Sequence, residues 1–136
     1  MKAIFLDRDG VINKYPGDND YVKSWGEFQF LPKAKSSLKR LADFGFRLFI
    51  ISNQAGVSKG IYSQEALELI TENMLNELSK EGVRIEGAYF CIHRPEDNCL
   101  CRKPKTGLLD LAINKLKKKG VKVDLNASYF IGDTIR

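Results

Sequence analysis

Four short apolar runs, each separated from the next by a helical stripe, limit the folds open to this chain more than any other feature. Lys2–Leu6, Arg47–Ile51 (Arg-Leu-Phe-Ile-Ile), Arg84–Ile92 and Ser128–Ile131 read as strands, Arg47–Ile51 as a buried one. Between the first two, Pro32 stands at a helix start, and Leu38, Leu41 and Ala42 mark an apolar face that ends at Gly45. A second helix opens near Ser63 as N-cap, keeps Leu67, Ile70, Met74 and Leu78 on one face, and stops at Gly82. A third runs from about Thr106 to Gly120 with Leu109, Ala112, Ile113 and Leu116 inward. The order β-α-β-α-β-α-β predicts an α/β, three-layer Rossmann-like fold, with a mainly parallel sheet and helices on both faces. Residues 12–30 hold Pro16, Gly17, Gly26 and several aromatics without a period, and read as a loop excursion with room for a small hairpin.

In an open parallel sheet, ligands bind beyond the carboxyl ends of the strands, where the strand order reverses. Three of the runs end there in polar residues: Asp7 and Asp9 after the first, Ser52 and Asn53 after the second, Asp133 after the fourth. Asp-x-Asp-Gly and Gly-Asp are each common turns taken singly, and Lys103 taken singly is a surface lysine. Their joint placement is what points to chemistry. Of two carboxylates leaving one strand on the same side, one can attack phosphorus while the other serves as general acid and then base. Asp133 completes a hard, all-oxygen site suited to Mg²⁺. Ser52 and nearby backbone N–H groups suit phosphate oxygens, and Lys103 would neutralise charge building on a transferred phosphoryl group.

The 136 residues fit one domain, with no repeat or linker to mark a second. A net charge of +5 favours anionic ligands without choosing among them, and part of it, Lys117-Lys118-Lys119, reads as a solvated helix end. No apolar run approaches the roughly 20 residues of a membrane helix, and Met1-Lys2 leads into no signal peptide, so a cytoplasmic protein with no membrane partner is expected. All three cysteines lie within residues 91–101, beside the single histidine. Cys91-x-His93 followed by Cys99-x-Cys101 offers four ligands that suit Zn²⁺ and leave no open position, so the site would be structural. A zinc ribbon binding nucleic acid is the alternative, but it would more often show two Cys-x-x-Cys pairs.

Four segments, Phe5-Leu6-Asp7-Arg8-Asp9-Gly10-Val11, Ile51-Ser52-Asn53-Gln54, Cys101-Arg102-Lys103-Pro104 and Ile131-Gly132-Asp133, resemble the four motifs of the haloacid dehalogenase superfamily. More narrowly, the chain is similar to its small phosphatases without a large cap domain, the D,D-heptose 1,7-bisphosphate phosphatases and the histidinol-phosphatases, which carry a zinc-binding loop at the same place. The resemblance spans 1–136 as a single domain. It implies Asp7 as nucleophile and Asp9 as acid and base. Mg²⁺ would be held by the Asp7 side chain, the Asp9 main-chain carbonyl and Asp133. Ser52, Asn53, Gln54, Ala55 and Lys103 would contact the phosphate or sugar, with Arg102 reaching the substrate.

Tyr21-Val22, Phe28-Gln29-Phe30 and the 53–60 segment resemble the heptose enzymes more than the histidinol enzymes. The implied activity is a D-glycero-D-manno-heptose 1,7-bisphosphate 7-phosphatase serving lipopolysaccharide heptose synthesis, active as a monomer or weak oligomer on a small phosphorylated sugar. Histidinol phosphate and a nucleic-acid 3′-phosphate are the alternative substrates, and a catalytically dead binding protein is disfavoured by the intact Asp7, Asp9, Lys103 and Asp133. The second acid of the superfamily's Gly-Asp-x-x-x-Asp pattern would fall just after Arg136, so the domain is expected to be C-terminally short.

Overall fold

The computed structural model describes residues 1–18, 20–101, 103 and 106–132. Seven regular elements alternate along them: β1 (Ala3–Leu6), α1 (Ala34–Asp43), β2 (Arg47–Asn53), α2 (Gln64–Lys80), β3 (Ile85–Cys91), α3 (Gly107–Lys118) and β4 (Tyr129–Ile131). The strands form one parallel sheet in the order β3-β2-β1-β4, with Phe5 opposite Phe49 and Phe130, and Ile50 opposite Ala88.

Period-two alternation sends successive side chains of a strand to opposite faces, and both faces of β1 and β2 are covered, whereas Tyr129, Phe130 and Ile131 of β4 stay exposed. Ile4, Leu6, Leu48 and Ile50 face Leu38 of α1 and Ile70, Met74 and Leu78 of α2 in one core. Ala3, Phe5, Phe49 and Ile51 face Leu108 and Ala112 of α3 in the other, where the Phe5 and Phe49 rings stack 5.3 Å apart. The chain moves outward from β1 through β2 to β3 with α1 and α2 on one face. It then crosses by α3 on the opposite face to reach β4 on the far side of β1, as right-handed crossovers require. β1 is therefore the point at which the strand order reverses.

Ser63 caps α2 as expected, its Oγ accepting from the Ala66 N–H at 3.0 Å. Two local expectations shift. The first helix begins at Ala34, not at Pro32, because Lys33 adopts a left-handed backbone (φ 67°) that no helical turn can include. In α3 the most deeply buried leucine is Leu108, with Leu109, Ile113 and Leu116 packed around the edge of the core. The 12–30 excursion forms no regular hairpin. Lys14 N–H to Gln29 O (2.8 Å) and Leu31 N–H to Ile12 O (2.9 Å) pair its two ends, and a 3₁₀ turn at Trp25–Glu27 lies between. Trp25, Phe28 and Phe30 cluster on the first core, with Phe28 5.1 Å from each of the other two rings. Among the described residues, no helix is long and apolar enough to cross a membrane.

Candidate active site and metal centre

The carboxyl ends of β1 and β2 meet where the topology places a ligand site. The Asp7 N–H donates to Ile131 O at 3.0 Å, fastening the end of β1 to β4, and the Arg8 N–H donates to Asp7 Oδ1 at 2.7 Å. Asp7 Oδ2 forms an ion pair with Lys103 Nζ at 2.8 Å, each side chain about one-fifth exposed (23% and 19%). Partial burial weakens solvent screening, so each charge stabilises the other more than a surface pair would. The same ammonium lies 5.4 Å from the centre of the Phe130 ring. Asn53, at the last position of β2, clasps the Lys103 main chain from both sides. Its Oδ1 accepts from Lys103 N–H at 3.0 Å and its Nδ2 donates to Lys103 O at 3.4 Å.

Asp9 is held differently. Its Oδ1 accepts from Arg8 Nε (3.2 Å), Arg8 Nη2 (3.0 Å) and Asn13 Nδ2 (2.9 Å), while Oδ2 accepts from Gln54 Nε2 at 3.0 Å. Gln54 Nε2 also donates to Ser52 Oγ at 3.0 Å, and Gln54 Oε1 accepts from the Tyr62 hydroxyl. Burial pushes the Tyr62 phenol well above its ordinary pKa, so it stays a hydrogen-bond donor. Arg8 is completely buried, with the Phe28 ring 5.8 Å from its Cζ. Its Nη1 and Asn13 Oδ1 make no hydrogen bond among the described residues.

The structure thus brings together Asp7, Asp9, Ser52, Asn53, Gln54 and Lys103. Gln54 and Ala55 of the expected substrate-contact segment are buried. Their side chains are 0% and 4% exposed, and the Gln54 carboxamide faces Asp9, Ser52 and Tyr62, which leaves their main chain to meet a substrate. Arg102 and Asp133 lie outside the described residues. Arg8, Asn13 and Tyr62 complete the support of Asp9 and carry no sequence signal of that part. They come from a strand exit and two loops, where no helical or strand period marks a buried polar side chain.

Asp7 and the Asp9 carbonyl supply only oxygen, the donor type that Mg²⁺ prefers, so the described part of the donor set fits a hard cation. The second candidate metal centre lies beside the end of β3. The ligand atoms of Cys91, His93, Cys99 and Cys101 all lie within 4.8 Å of one another. The Cys91 Sγ is 3.4 Å from Cys99 Sγ, 2.9 Å from Cys101 Sγ and 3.6 Å from His93 Nδ1, and His93 Nδ1 is 3.2 Å from Cys101 Sγ. A zinc–sulfur bond of about 2.3 Å puts the sulfurs of a tetrahedral site roughly 3.8 Å apart, so these four atoms need open only slightly to enclose the ion. Burial, and then the Cys101 thiol, push the Cys91 thiol up to about 12, so an ion must displace its proton and binding weakens as pH falls.

The segment that carries Cys99 and Cys101 packs tightly onto the start of α3. A Cβ on Gly107 would lie 2.3 Å from Leu100 O and 2.9 Å from Cys101 Cα, both main-chain atoms. We expect Gly107→Ala to lower stability by about 1–3 kcal/mol through overpacking and to weaken metal retention at Cys101. Thermal unfolding beside zinc content checks this, and unchanged values for both would refute the close packing.

Comparisons with known proteins give the family and the fold's relatives. The family model described as polynucleotide kinase 3 phosphatase matches residues 2–135. The chain is 41% identical over 133 residues to D-glycero-beta-D-manno-heptose-1,7-bisphosphate 7-phosphatase of Helicobacter pylori, an overlap covering 97% of this chain and 72% of that protein. It is 38% identical over 142 residues to the enzyme of the same name from Yersinia pestis, covering 99% and 71%. A crystal structure of D,D-heptose 1,7-bisphosphate phosphatase from B. bronchiseptica, complexed with magnesium and phosphate, superimposes with a TM-score of 0.83 at 32% identity, covering 100% of this chain and 72% of that one.

Proposed function

Since this chain belongs to the polynucleotide kinase 3 phosphatase family, a haloacid dehalogenase-like family of phosphatases, we propose that it hydrolyses the 7-phosphate of D-glycero-D-manno-heptose 1,7-bisphosphate in the cytoplasm, through an aspartyl-phosphate on Asp7. The observation that carries the mechanism is the contrast between two carboxylates on one strand exit. Among the described residues, Asp7 faces one cation on a flexible stem, Lys103 Nζ at 2.8 Å, whereas Asp9 is braced by side-chain donors on both oxygens. The first arrangement suits a nucleophile whose partner can turn to an incoming phosphate. The second suits an acid and base that must hold one orientation.

An Asp7 oxygen attacks phosphorus, the bond to the sugar oxygen breaks, and Asp9 gives that oxygen its proton. Asp9 then takes a proton from water as the water oxygen attacks phosphorus, the Asp7–phosphate bond breaks, and inorganic phosphate leaves. Lys103 neutralises the phosphoryl oxygens, and the Ser52 hydroxyl and the main chain at Asn53 line the same strand ends. Mg²⁺, held by Asp7, the Asp9 carbonyl and Asp133, would supply further charge neutralisation and keep the nucleophile ionised. Arg102 is assigned to the sugar phosphate. Zn²⁺ at Cys91, His93, Cys99 and Cys101 would be structural.

The names of the relatives favour the heptose ester, and the family model's description keeps a nucleic-acid 3′-phosphate as the second reading. The test is Mg²⁺-dependent phosphate release from the heptose bisphosphate beside L-histidinol phosphate and a 3′-phosphorylated oligonucleotide. A kcat/KM for the heptose ester at least about 100-fold above both others is expected, the discrimination that differential transition-state contacts supply. Preference for either of the others would overturn the substrate and leave the mechanism standing.

A further inference from the structure

The mechanism needs Asp9 to deliver a proton along one line, and the hydrogen bonds around it choose that line. We propose that Gln54, itself locked by Tyr62, is a positioning residue that makes Oδ2 the proton-carrying oxygen of Asp9. This rests on the reading of Asp9 as general acid and base.

Oδ1 already accepts three N–H groups, from Arg8 Nε, Arg8 Nη2 and Asn13 Nδ2. A carboxylate oxygen has two lone pairs, so no room remains there for a proton. Among the described residues, Oδ2 accepts one bond, from Gln54 Nε2, and keeps one lone pair open. When Asp9 acts as acid, the Oδ2–H bond breaks as the leaving oxygen parts from phosphorus and takes the proton. When it acts as base, the same lone pair takes the proton of the attacking water.

The carboxamide must present nitrogen, not oxygen, to Asp9. Its two N–H groups go to Asp9 Oδ2 and Ser52 Oγ, both at 3.0 Å, and its oxygen takes the Tyr62 O–H. A flipped amide would set an oxygen against the carboxylate and turn its N–H groups toward the phenol. Tyr62 disfavours that state by offering a donor where the oxygen belongs. Its ring reaches this place because residue 56 is glycine: a Cβ there would lie 2.2 Å from Tyr62 Cε1. Gln54 and Tyr62 are 0% and 7% exposed, so water does not substitute readily for either bond.

A general acid matters most when the leaving group is poor, and this separates positioning from structural damage. The experiment measures kcat/KM for a series running from p-nitrophenyl phosphate to alkyl phosphates, in wild type, Tyr62→Phe, Gln54→Leu and Asp9→Asn. Tyr62→Phe should cost about tenfold on alkyl phosphates and under about threefold on p-nitrophenyl phosphate, and Gln54→Leu about 100-fold against a similarly small loss, within the range general acid catalysis supplies. Inhibition by inorganic phosphate should be unchanged in both. If Tyr62→Phe fails to fold, Gln54→Leu carries the test. A uniform loss across the series in the folded variants, while Asp9→Asn shows the steep dependence, would overturn the inference. A flat dependence in Asp9→Asn as well would instead remove the acid role of Asp9 on which the inference stands, and the inference falls with it.

Discussion

Asp7→Asn should abolish turnover, with kcat reduced on the order of 10⁵-fold or more, the scale seen when a covalent nucleophile is removed. The substitution keeps the shape of the side chain and its acceptor for the Arg8 N–H, bonded at 2.7 Å to Oδ1. It removes the negative charge opposite Lys103 Nζ, so the ammonium loses a partner at 2.8 Å and becomes fully available to an anion. Inorganic phosphate should therefore bind Asp7→Asn at least as well as wild type while no phosphate is released from the ester. Acid-quenched wild type should carry protein-bound phosphate during turnover, and the variant none. Residual activity within about 100-fold of wild type would show that phosphorus is attacked by some other group.

The second large effect concerns the metal centre. Cys91→Ser, or removal of the ion with a chelator, should bring zinc from about one ion per chain to near zero, since a closed four-ligand site tolerates no missing ligand. Phosphatase activity should fall roughly 10–100-fold, the usual cost of disturbing groups that orient a site without touching the reaction. The path is short, along the chain on one side and through a single hydrogen bond on the other. Cys101 lies two residues before Lys103, and the Gln54 N–H donates to Cys91 O at 2.6 Å, so one centre fixes both the lysine's loop and the residue behind Asp9. Wild type should retain zinc less well as pH falls, because a buried Cys91 thiol pushed up to about 12 holds its proton against the ion. Metal analysis after dialysis at several pH values checks both claims. Full activity in a zinc-free chain would make the centre dispensable to the site.

Elements with a continuous pattern are legible in the amino-acid sequence alone. Leu48, Phe49, Ile50 and Ile51 run without a polar break because both faces of β2 are covered, and Leu67, Ile70, Met74 and Leu78 keep one face of α2. The first helix start is less legible, since nothing in Pro32-Lys33 announces a left-handed lysine. The candidate site divides the same way. Asp7, Asp9, Ser52 and Asn53 follow from where strands end, and the Cys/His cluster from the crowding of those residues into 91–101. Arg8 pairs with the adjacent Asp9, but its burial has no sequence signature, because the groups around the pair, Asn13, Phe28 and Gln54, meet it only in three dimensions. Gln54 sits in the expected segment, but the direction of its carboxamide is set by Tyr62, a loop residue eight positions later.

Asn53 binds the Lys103 main chain at both its N–H and its carbonyl, across fifty residues of sequence. The lysine's reach is thus registered against the rigid end of β2 and does not depend on the length of chain that delivers it. Such an anchor separates the tuning of the charge from the history of the loop. A stretch between β3 and Lys103 of another length, so long as it stays pinned at Cys101, would still deliver the ammonium to the same carboxylate.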